Sequence, residues 1–310
     1  MHRRRNRTRR SHSEALEVRT LLTGNMTAEL IGDTFELTGD AEDNSVALYL
    51  DGDEAVLQGL NGTTINNEPE LRLPRTALDN ADNFRARGRG GNDDMFIDFT
   101  GFAWSGRAVI NAGGGNDSMT VVGGTVNNNL IVGGGSGRDS LAIRNMEITE
   151  DLEVRAGDGR DTVLLNDNDV GNTLLYYGSG GDDFLWLDGV SVGDDAFLRM
   201  GRGEDWSVVS ETTVDGTAIV NGQGGEAATF VDDEASNSFG TLVENNITEK
   251  FTALADWTDA DPPVDTFTES DARVDTHFEI IDNQAVGIPA TVRQNLLEVF
   301  GDSIPDIFLN

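Results

Sequence analysis

Seven short glycine-rich turns, each ending in an acidic residue, are the part of this sequence whose residue types could do chemistry. Glycine permits positive φ angles that turn backbone carbonyls toward a common point. A carboxylate two residues beyond the last glycine can reach the same point, and grouped oxygens of this kind suit a hard cation. The turns lie at residues 89–93, 113–117, 135–139, 157–161, 178–182, 201–205 and 222–226.

The spacing of these turns predicts a solenoid. Their acidic residues are separated by 24, 22, 22, 21, 23 and 21 positions, and a period of 20–50 residues is typical of stacked repeats. Apolar residues keep step with the turns in three segments per coil, two of which alternate with the period of a strand that has one buried face. The residues predicted to face inward after the turn are Met95/Ile97, Met119/Val121, Leu141/Ile143, Val163/Leu165, Phe184/Trp186, Ser207/Val209 and Ala228/Phe230.

Three inward-facing segments in a coil of about 22 residues describe an all-β, right-handed parallel β-helix with terminal caps. One coil cannot bury its own apolar face, so stacking on its neighbours supplies the core. We expect a basic leader at 1–25 and the β-helix at 26–243, with clear repeats at 84–243. Residues 244–310 are predicted to form a linker and a C-terminal cap with one short helix at 290–300.

The composition excludes several classes of function. Seven of the 22 basic residues lie within residues 1–19, which leaves 15 basic against 53 acidic residues in the remainder. A body this acidic repels nucleic acid and anionic lipid and attracts cations. There is no Cys, hence no disulfide and no thiol nucleophile. No apolar run of about 18 residues appears, so no membrane-spanning helix is expected.

The turns resemble a known calcium-binding repeat. Residues 134–142 carry Gly-Gly-x-Gly-x-Asp-x-apolar-x at every fixed position, which is similar to the haemolysin-type (RTX) nonapeptide. The resemblance covers about residues 88–230, with one motif per coil where typical RTX rolls have two in tandem. It implies a calcium ion between neighbouring coils. The implied ligands are Asp93, Asp117, Asp139, Asp161, Asp182 and Asp205, with the carbonyls of Gly113, Gly115, Gly135, Gly137, Gly157, Gly159, Gly178 and Gly180.

Physical chemistry leaves three roles open for the acidic column. Carboxylates stacked about 4.8 Å apart repel one another by around 1 kcal/mol in water. Calcium or protonation would remove that repulsion, and so would pairing with Arg138, Arg160 and Arg202 inside the turns. The aspartates could also be plain turn formers that accept backbone N–H bonds.

The N-terminal segment carries a second resemblance. Residues 15–23, ALEVRTLLT, follow an arginine-rich stretch and resemble the LEPR-xLL element at the start of many large exported planctomycete proteins. Val18 replaces the usual proline. The resemblance implies export, and hence a secreted or cell-surface protein.

Many right-handed β-helices act on polysaccharides, so a sugar-binding face is the alternative function. The column six positions before each acid consists of Asn111, Gly133, Arg155, Tyr176, Arg199 and Val220. Within it Arg155, Tyr176 and Arg199 could contact an acidic sugar. We assign no catalytic residue and no organic cofactor, because all three histidines and the only lysine lie outside the repeats.

An apolar patch is expected on the outer surface. Leu164, Leu185, Trp206 and Val208 fall at predicted outward positions on consecutive coils, and contiguous exposed apolar area marks a contact. Segment 245–310 could cover the patch, or the patch could be a homodimer surface or a carbohydrate platform built on Trp206 and Tyr176. The sequence thus predicts an exported structural or adhesive repeat protein stabilised by calcium. The alternative is a carbohydrate-binding or carbohydrate-active, polysaccharide lyase-like β-helix.

Overall fold

A computed structural model describes residues 24–223 and 227–253 of the chain, and this part is almost entirely β-structure. The predicted leader, the helix at 290–300 and the rest of the C-terminal cap lie outside the described residues. The N-terminal elements are β1 (Asn25–Ile31), β2 (Thr34–Thr38), β3 (Ser45–Asp51), β4 (Glu54–Gly59), β5 (Thr64–Ile65), β6 (Glu70–Pro74) and the short helix α1 (Arg75–Asp79).

The remaining strands repeat in groups of three that form three faces. The first face contains β7 (Asn83–Gly90), β10 (Ala108–Gly114), β13 (Leu130–Ser136), β16 (Leu152–Asp158), β19 (Leu174–Gly180) and β22 (Ala196–Arg199). The second contains β8 (Asp94–Asp98), β11 (Ser118–Val122), β14 (Ser140–Arg144), β17 (Thr162–Asn166), β20 (Phe184–Asp188), β23 (Glu204–Ser210), β25 (Ala227–Asp232) and β27 (Glu249–Phe251). The third contains β9 (Ala103–Trp104), β12 (Thr125–Val126), β15 (Glu147–Ile148), β18 (Asp169–Val170) and β21 (Ser191–Val192).

Each strand pairs in parallel with its counterpart one coil away, which confirms the predicted parallel β-helix. On the first face Leu130 pairs with Leu152, and Leu152 pairs with Leu174, a step of 22 residues each time. Strand β24 (Thr213–Asn221) continues the third face with its first residues and the first face with its last. Strand β26 (Ser238–Asn245) pairs with β24, so the coils extend beyond residue 243 to Phe251.

The N-terminal end of the solenoid is made of antiparallel hairpins rather than whole coils. Strands β1 and β2 form one hairpin, and β3, β4 and β6 form an antiparallel sheet. β2 then pairs in parallel with β7, and β3 with β8, which joins both sheets to the first coil. The hairpins therefore occupy the end of the stack, where unpaired strand edges would invite aggregation.

A continuous apolar core runs inside the coils. Alternate residues of the first-face strands point inward, as in β16 with Leu152, Val154 and Ala156 fully buried. At the N-terminal end, the rings of Phe84, Phe99 and Trp104 lie 4.9–5.5 Å apart. Within the described ranges, no helix is long and apolar enough to cross a membrane.

The inward register of β20 differs from the prediction. Leu185 and Leu187 point into the core and are 0% and 1% exposed, whereas the sequence pattern predicts Phe184 and Trp186 there. The repeat between residues 161 and 183 is 22 residues long, and shifting a strand by one position moves every side chain to the other face. Leu185 is therefore not part of an outer patch.

An outer apolar cluster does exist on the second face, with a different membership. Phe184, Trp186, Val208 and Val231 form its buried centre. Leu164, Trp206 and Phe251 pack against it, so the start of segment 245–310 covers part of the cluster. The rest of that segment lies outside the described residues.

Candidate functional site: the corner aspartate column

Six aspartates stack at the corner between the first and second faces. Each is the residue before a second-face strand or lies at its start, and successive members are 24, 22, 22, 22 and 22 residues apart. All six are between 0% and 1% exposed, so the column lies inside the solenoid wall. The members are Asp93, Asp117, Asp139, Asp161, Asp183 and Asp205.

Each carboxylate bridges two coils through a backbone hydrogen bond. The Oδ1 atom of Asp117 accepts the backbone N–H of Asp93 at 2.8 Å, and that of Asp139 accepts the N–H of Asp117 at 2.9 Å. The same bond continues through Asp161, Asp183 and Asp205 at 2.8–3.1 Å. The aspartates thus act as turn formers, one of the roles left open by the sequence, and the bond passes from coil to coil rather than within one turn.

The column begins and ends with uncharged residues. Asn44 takes the position before Asp93 and donates both its backbone N–H and its Nδ2 to Asp93 Oδ1, at 2.8 and 3.0 Å. At the other end Ala228 is in register with Asp205 and donates its N–H to Thr248 Oγ1 at 3.2 Å. Glu226, the acid predicted to close the last turn, lies outside the described residues.

The second carboxylate oxygen has no hydrogen-bond donor at several positions in the described part of the chain. The Oδ2 atoms of Asp93, Asp161, Asp183 and Asp205 are buried and without a hydrogen-bond partner there. Burying an acceptor unsatisfied costs roughly 1–3 kcal/mol, and more if it is charged. These oxygens are therefore where a proton or a metal ion would be stabilised.

At Asp93, Asp139 and Asp183 a glycine five positions before the acid makes room for this oxygen. A Cβ added at Gly88 would lie 2.1 Å from Asp93 Oδ2 and 2.3 Å from the carbonyl oxygen of Ala112. At Gly178 the corresponding distances are 2.7 Å to Asp183 Oδ2 and 1.9 Å to the carbonyl oxygen of Met200. Two acceptor oxygens from adjacent coils thus approach the same glycine Cα.

Burial shifts the acid–base equilibria of the column. Desolvation, opposed by backbone N–H donors, raises the pKa of Asp93 to about 7 and that of Asp161 and Asp205 to about 6. The pKa of Asp183 rises to about 9, because the charges of Asp161 and Asp205 add to desolvation. Burial therefore shifts these four acids toward the neutral form wherever no cation compensates them.

Glycines at the turns are required by close backbone contacts. Gly113, Gly115, Gly135, Gly137, Gly157 and Gly159 all have φ between +120° and +140°. A Cβ at Gly159 would lie only 1.5 Å from the carbonyl oxygen of Gly137 in the preceding coil. These carbonyl oxygens pack against the next glycine Cα, which explains the motif without reference to a ligand.

The turn at 178–183 corrects three predicted residues. Asp183, not Asp182, belongs to the column, and positive φ angles occur at Ser179 (82°) and Gly181 (127°) instead of Gly178 and Gly180. Two adjacent acids and two adjacent glycines made the motif ambiguous. The constant 22-residue step identifies the correct pair.

Asp182 has a different environment from its neighbour. Its side chain is 43% exposed and accepts a 3.1 Å bond from Arg160. The backbone N–H of Glu204 donates to it at 3.0 Å, and this bond with the Arg160 contact lowers its pKa. The Arg160 ion pair therefore lies outside the buried column.

The donor set fits calcium only in part. In the described residues no three acidic or histidine side chains converge as a metal-binding group. Calcium requires six to eight oxygens, while the turns at Gly88, Gly134 and Gly178 each present one buried carboxylate oxygen near one carbonyl oxygen of the next coil. A complete shell would need oxygens from two coils and water, and calcium binding stays a prediction.

The predicted sugar-binding face is also partly corrected. Tyr176 is 0% exposed and points into the core, whereas Tyr177 pairs in register with Arg155 and Arg199 on the outer surface. Trp206 lies on the second face beside the outer cluster. Tyr176 and Trp206 therefore do not join Arg155 and Arg199.

Comparison with family models, with curated proteins and with solved structures gives no match to this chain.

Proposed function

We propose that this chain is an exported or cell-surface structural β-solenoid whose corner aspartates hold a stabilising cation, with calcium as that cation. The observation that carries the proposal is that four buried carboxylate oxygens have no hydrogen-bond donor in the described part of the chain, namely the Oδ2 atoms of Asp93, Asp161, Asp183 and Asp205. Charged groups in that position need compensation from a proton or a metal ion. The resemblance of the turns to RTX repeats favours calcium.

The way the coils are joined supports a scaffold role. Every coil contacts only its neighbours, so rigidity depends on each interface in turn. The corner bond from one aspartate N–H to the next carboxylate lies at each of these interfaces. A cation shared by two coils would strengthen the same interfaces, and millimolar affinity is typical of extracellular calcium modules.

Export is the second element of the proposal and rests on residues 15–23 with the preceding arginines. Export is tested by expressing this chain, with and without residues 1–25, in a bacterium whose exported proteins carry the LEPR-xLL element. We expect the full chain in the extracellular or surface fraction and the truncated chain inside the cell. Equal distribution of both chains would contradict export by this element.

Thermal unfolding at about pH 8, in EGTA and in millimolar calcium, tests the calcium role. We expect calcium to raise the unfolding temperature of the wild-type protein, with magnesium having a smaller effect. In Asp161→Asn the rise should be reduced, because a buried charged ligand is lost while the acceptor of the Asp139 N–H is kept. Asp182→Asn is the matched control, since Asp182 lies outside the column.

Two outcomes would refute calcium binding at the column. The first is that the wild-type unfolding curves in EGTA and in calcium superimpose, which would leave protonation as the mechanism that compensates the buried carboxylates. A calcium effect that is lost equally in Asp161→Asn and Asp182→Asn would place the ion elsewhere.

A further inference from the structure

We propose that the outer surface of the first face binds an acidic, uronate-containing polysaccharide along the solenoid axis. This surface is distinct from the aspartate column, and polysaccharide binding there does not require calcium in the column. The polar side chains of the face lie in register.

Polar side chains form a single outward column across the strands of this face. Parallel pairing places them on six of seven successive rungs, about 4.8 Å apart, over a length of about 29 Å, with Gly133 on the remaining rung. The column consists of Arg87, Asn111, Arg155, Tyr177, Arg199 and Asn221. Such a row repeats in the direction in which an extended polymer would lie.

Two of the arginines are held in place by neighbours. Arg155 bonds to Glu153 at 2.8 Å through Nε, and its side chain is still 61% exposed. The Arg199 guanidinium lies 5.3 Å from the centre of the Tyr177 ring. A guanidinium has five N–H donors, so both retain donors for a ligand. Pre-ordering reduces the entropy lost on binding.

A depression separates Asn111 from Arg155. Gly133 stands between them in the column and has no side chain, which leaves a volume of about 280 Å³ lined also by Asp158 and Ser179. This volume is near the lower end of ligand pockets, roughly 300 Å³. Its lining offers hydroxyl, amide and carboxylate groups for sugar hydroxyls, with Arg155 at one side for a carboxylate.

A half-buried, mainly apolar column runs beside the polar one. Val109, Ile131, Leu175 and Phe197 point outward in it, and Glu153 interrupts it between Ile131 and Leu175. Sugar rings have apolar C–H faces, and an aromatic or aliphatic surface next to hydrogen-bonding groups suits them. The polar and apolar columns together form a two-sided track.

Charge is what selects an acidic glycan rather than a neutral one. The six first-face strands β7, β10, β13, β16, β19 and β22 contain five arginines and two acids. The whole chain has 55 acidic and 22 basic residues. Basic residues are therefore concentrated on this face, which attracts anions locally while the rest of the surface repels them.

Binding to polygalacturonate and alginate, with dextran as the neutral control and dextran sulfate as a plain polyanion, tests the proposal. Calorimetric titrations should be done in EGTA, so that calcium cannot bridge acidic protein and acidic polymer. We expect both uronates to bind, dextran not to bind, and dextran sulfate to bind more weakly than at least one uronate.

Variants locate the site. Arg155→Gln and Arg199→Gln should each weaken uronate binding by about tenfold or more, the loss of a charge-assisted hydrogen bond. Arg107→Gln is the matched control, since Arg107 is exposed and lies outside these strands. Gly133→Ser should also weaken binding, because the new Cβ would meet the flexible Asn111 amide at 2.7 Å and fill the depression.

Circular dichroism and unfolding temperature must first show that each variant folds. Absence of uronate binding by the wild-type protein would overturn the proposal. Equal affinities of Arg155→Gln, Arg199→Gln and Arg107→Gln would also overturn it. Stronger binding of dextran sulfate than of every uronate would show a polyanion surface without sugar recognition. These results do not depend on the calcium experiment, which measures unfolding.

Discussion

Asp182 and Asp183 are adjacent in the chain but lie on opposite sides of the solenoid wall. Asp183 is 1% exposed and its Oδ1 accepts the N–H of Asp161 at 3.0 Å, whereas the Asp182 side chain is 43% exposed and bonds to Arg160. The two preceding glycines also differ from each other, in backbone conformation. Gly181 has a φ of 127°, while Gly180 has no positive φ.

The glycine pair provides a direct test of this register. In Gly181→Ala the new Cβ would lie 1.6 Å from the carbonyl oxygen of Gly159, at a φ that alanine disfavours. We expect a loss of about 2–4 kcal/mol in the free energy of unfolding. In Gly180→Ala the nearest atom is Asp158 Oδ1 at 3.7 Å, so the loss should stay below about 1 kcal/mol. Urea unfolding measures both, and equal losses would show that the register is wrong.

The pH dependence of stability should follow the buried acids. Asp93, Asp161, Asp183 and Asp205 have pKa values raised to about 7, 6, 9 and 6 when folded, against roughly 3.9 when unfolded. Their stabilising contribution is complete below about pH 4 and is lost as the pH rises through the folded values. Between those limits each group lowers stability by about 1.4 kcal/mol per pH unit.

Urea unfolding in EGTA between about pH 5 and pH 9 measures this dependence. We expect the free energy of unfolding to rise as the pH falls, and Asp183→Asn to flatten the curve at its alkaline end. Asp182→Asn should leave that region unchanged, because the pKa of Asp182 is lowered. A wild-type protein that becomes less stable on acidification from pH 9 to pH 5 would disprove neutral acids in the column.

The repeat itself could be predicted from sequence because its apolar residues and glycines recur at a nearly constant interval. Side chains such as Leu141 and Val163 therefore face inward as expected. The details of one turn could not be predicted from the motif alone, since residues 178–183, GSGGDD, permit two registers. The choice between them is made by stacking on Asp161 and Asp205, which is a long-range contact.

The column's role was harder to predict than its position. The residue types of a Gly-x-Gly-x-Asp turn suit metal binding and a backbone hydrogen bond equally well, so the motif alone does not distinguish the two roles. The coil-to-coil bond, in which Asp117 reaches the N–H of Asp93, depends on the height of one coil above another. The sequence likewise does not distinguish the N-terminal hairpins from full coils, because apolar and polar residues alternate in β1 to β4 as they do in the repeats.

Asn44 should resist replacement by aspartate, the residue at the six following positions of the column. Asn44→Asp removes the Nδ2 donor to Asp93 Oδ1 and to the Glu42 carbonyl oxygen, and adds a second buried carboxylate. We expect a loss of about 2–4 kcal/mol at about pH 8 and a smaller loss near pH 5, where the new acid can be protonated. Thermal unfolding at both pH values measures it.

Asn92→Asp is the matched control for this substitution. Asn92 is exposed, and its Oδ1 accepts the Asn116 N–H at 2.7 Å, a bond that a carboxylate can also accept. Its unfolding temperature should change little. If Asn92→Asp were as destabilising as Asn44→Asp, the effect would come from net charge rather than from the buried end of the column.

Tyr176 and Tyr177 should respond oppositely to substitution. Tyr176 is fully buried, and its hydroxyl has no hydrogen-bond partner in the described structure. Tyr176→Ala should therefore cost about 3–5 kcal/mol. Tyr176→Phe keeps the packing, removes an unsatisfied group, and should be neutral or stabilising by up to about 1 kcal/mol.

Tyr177→Ala should lower the free energy of unfolding by less than about 1 kcal/mol. It should nevertheless loosen Arg199 and weaken uronate binding. Urea unfolding and the calorimetric titration separate the two residues, and a larger loss of stability in Tyr177→Ala than in Tyr176→Ala would reverse the assignment of inner and outer faces.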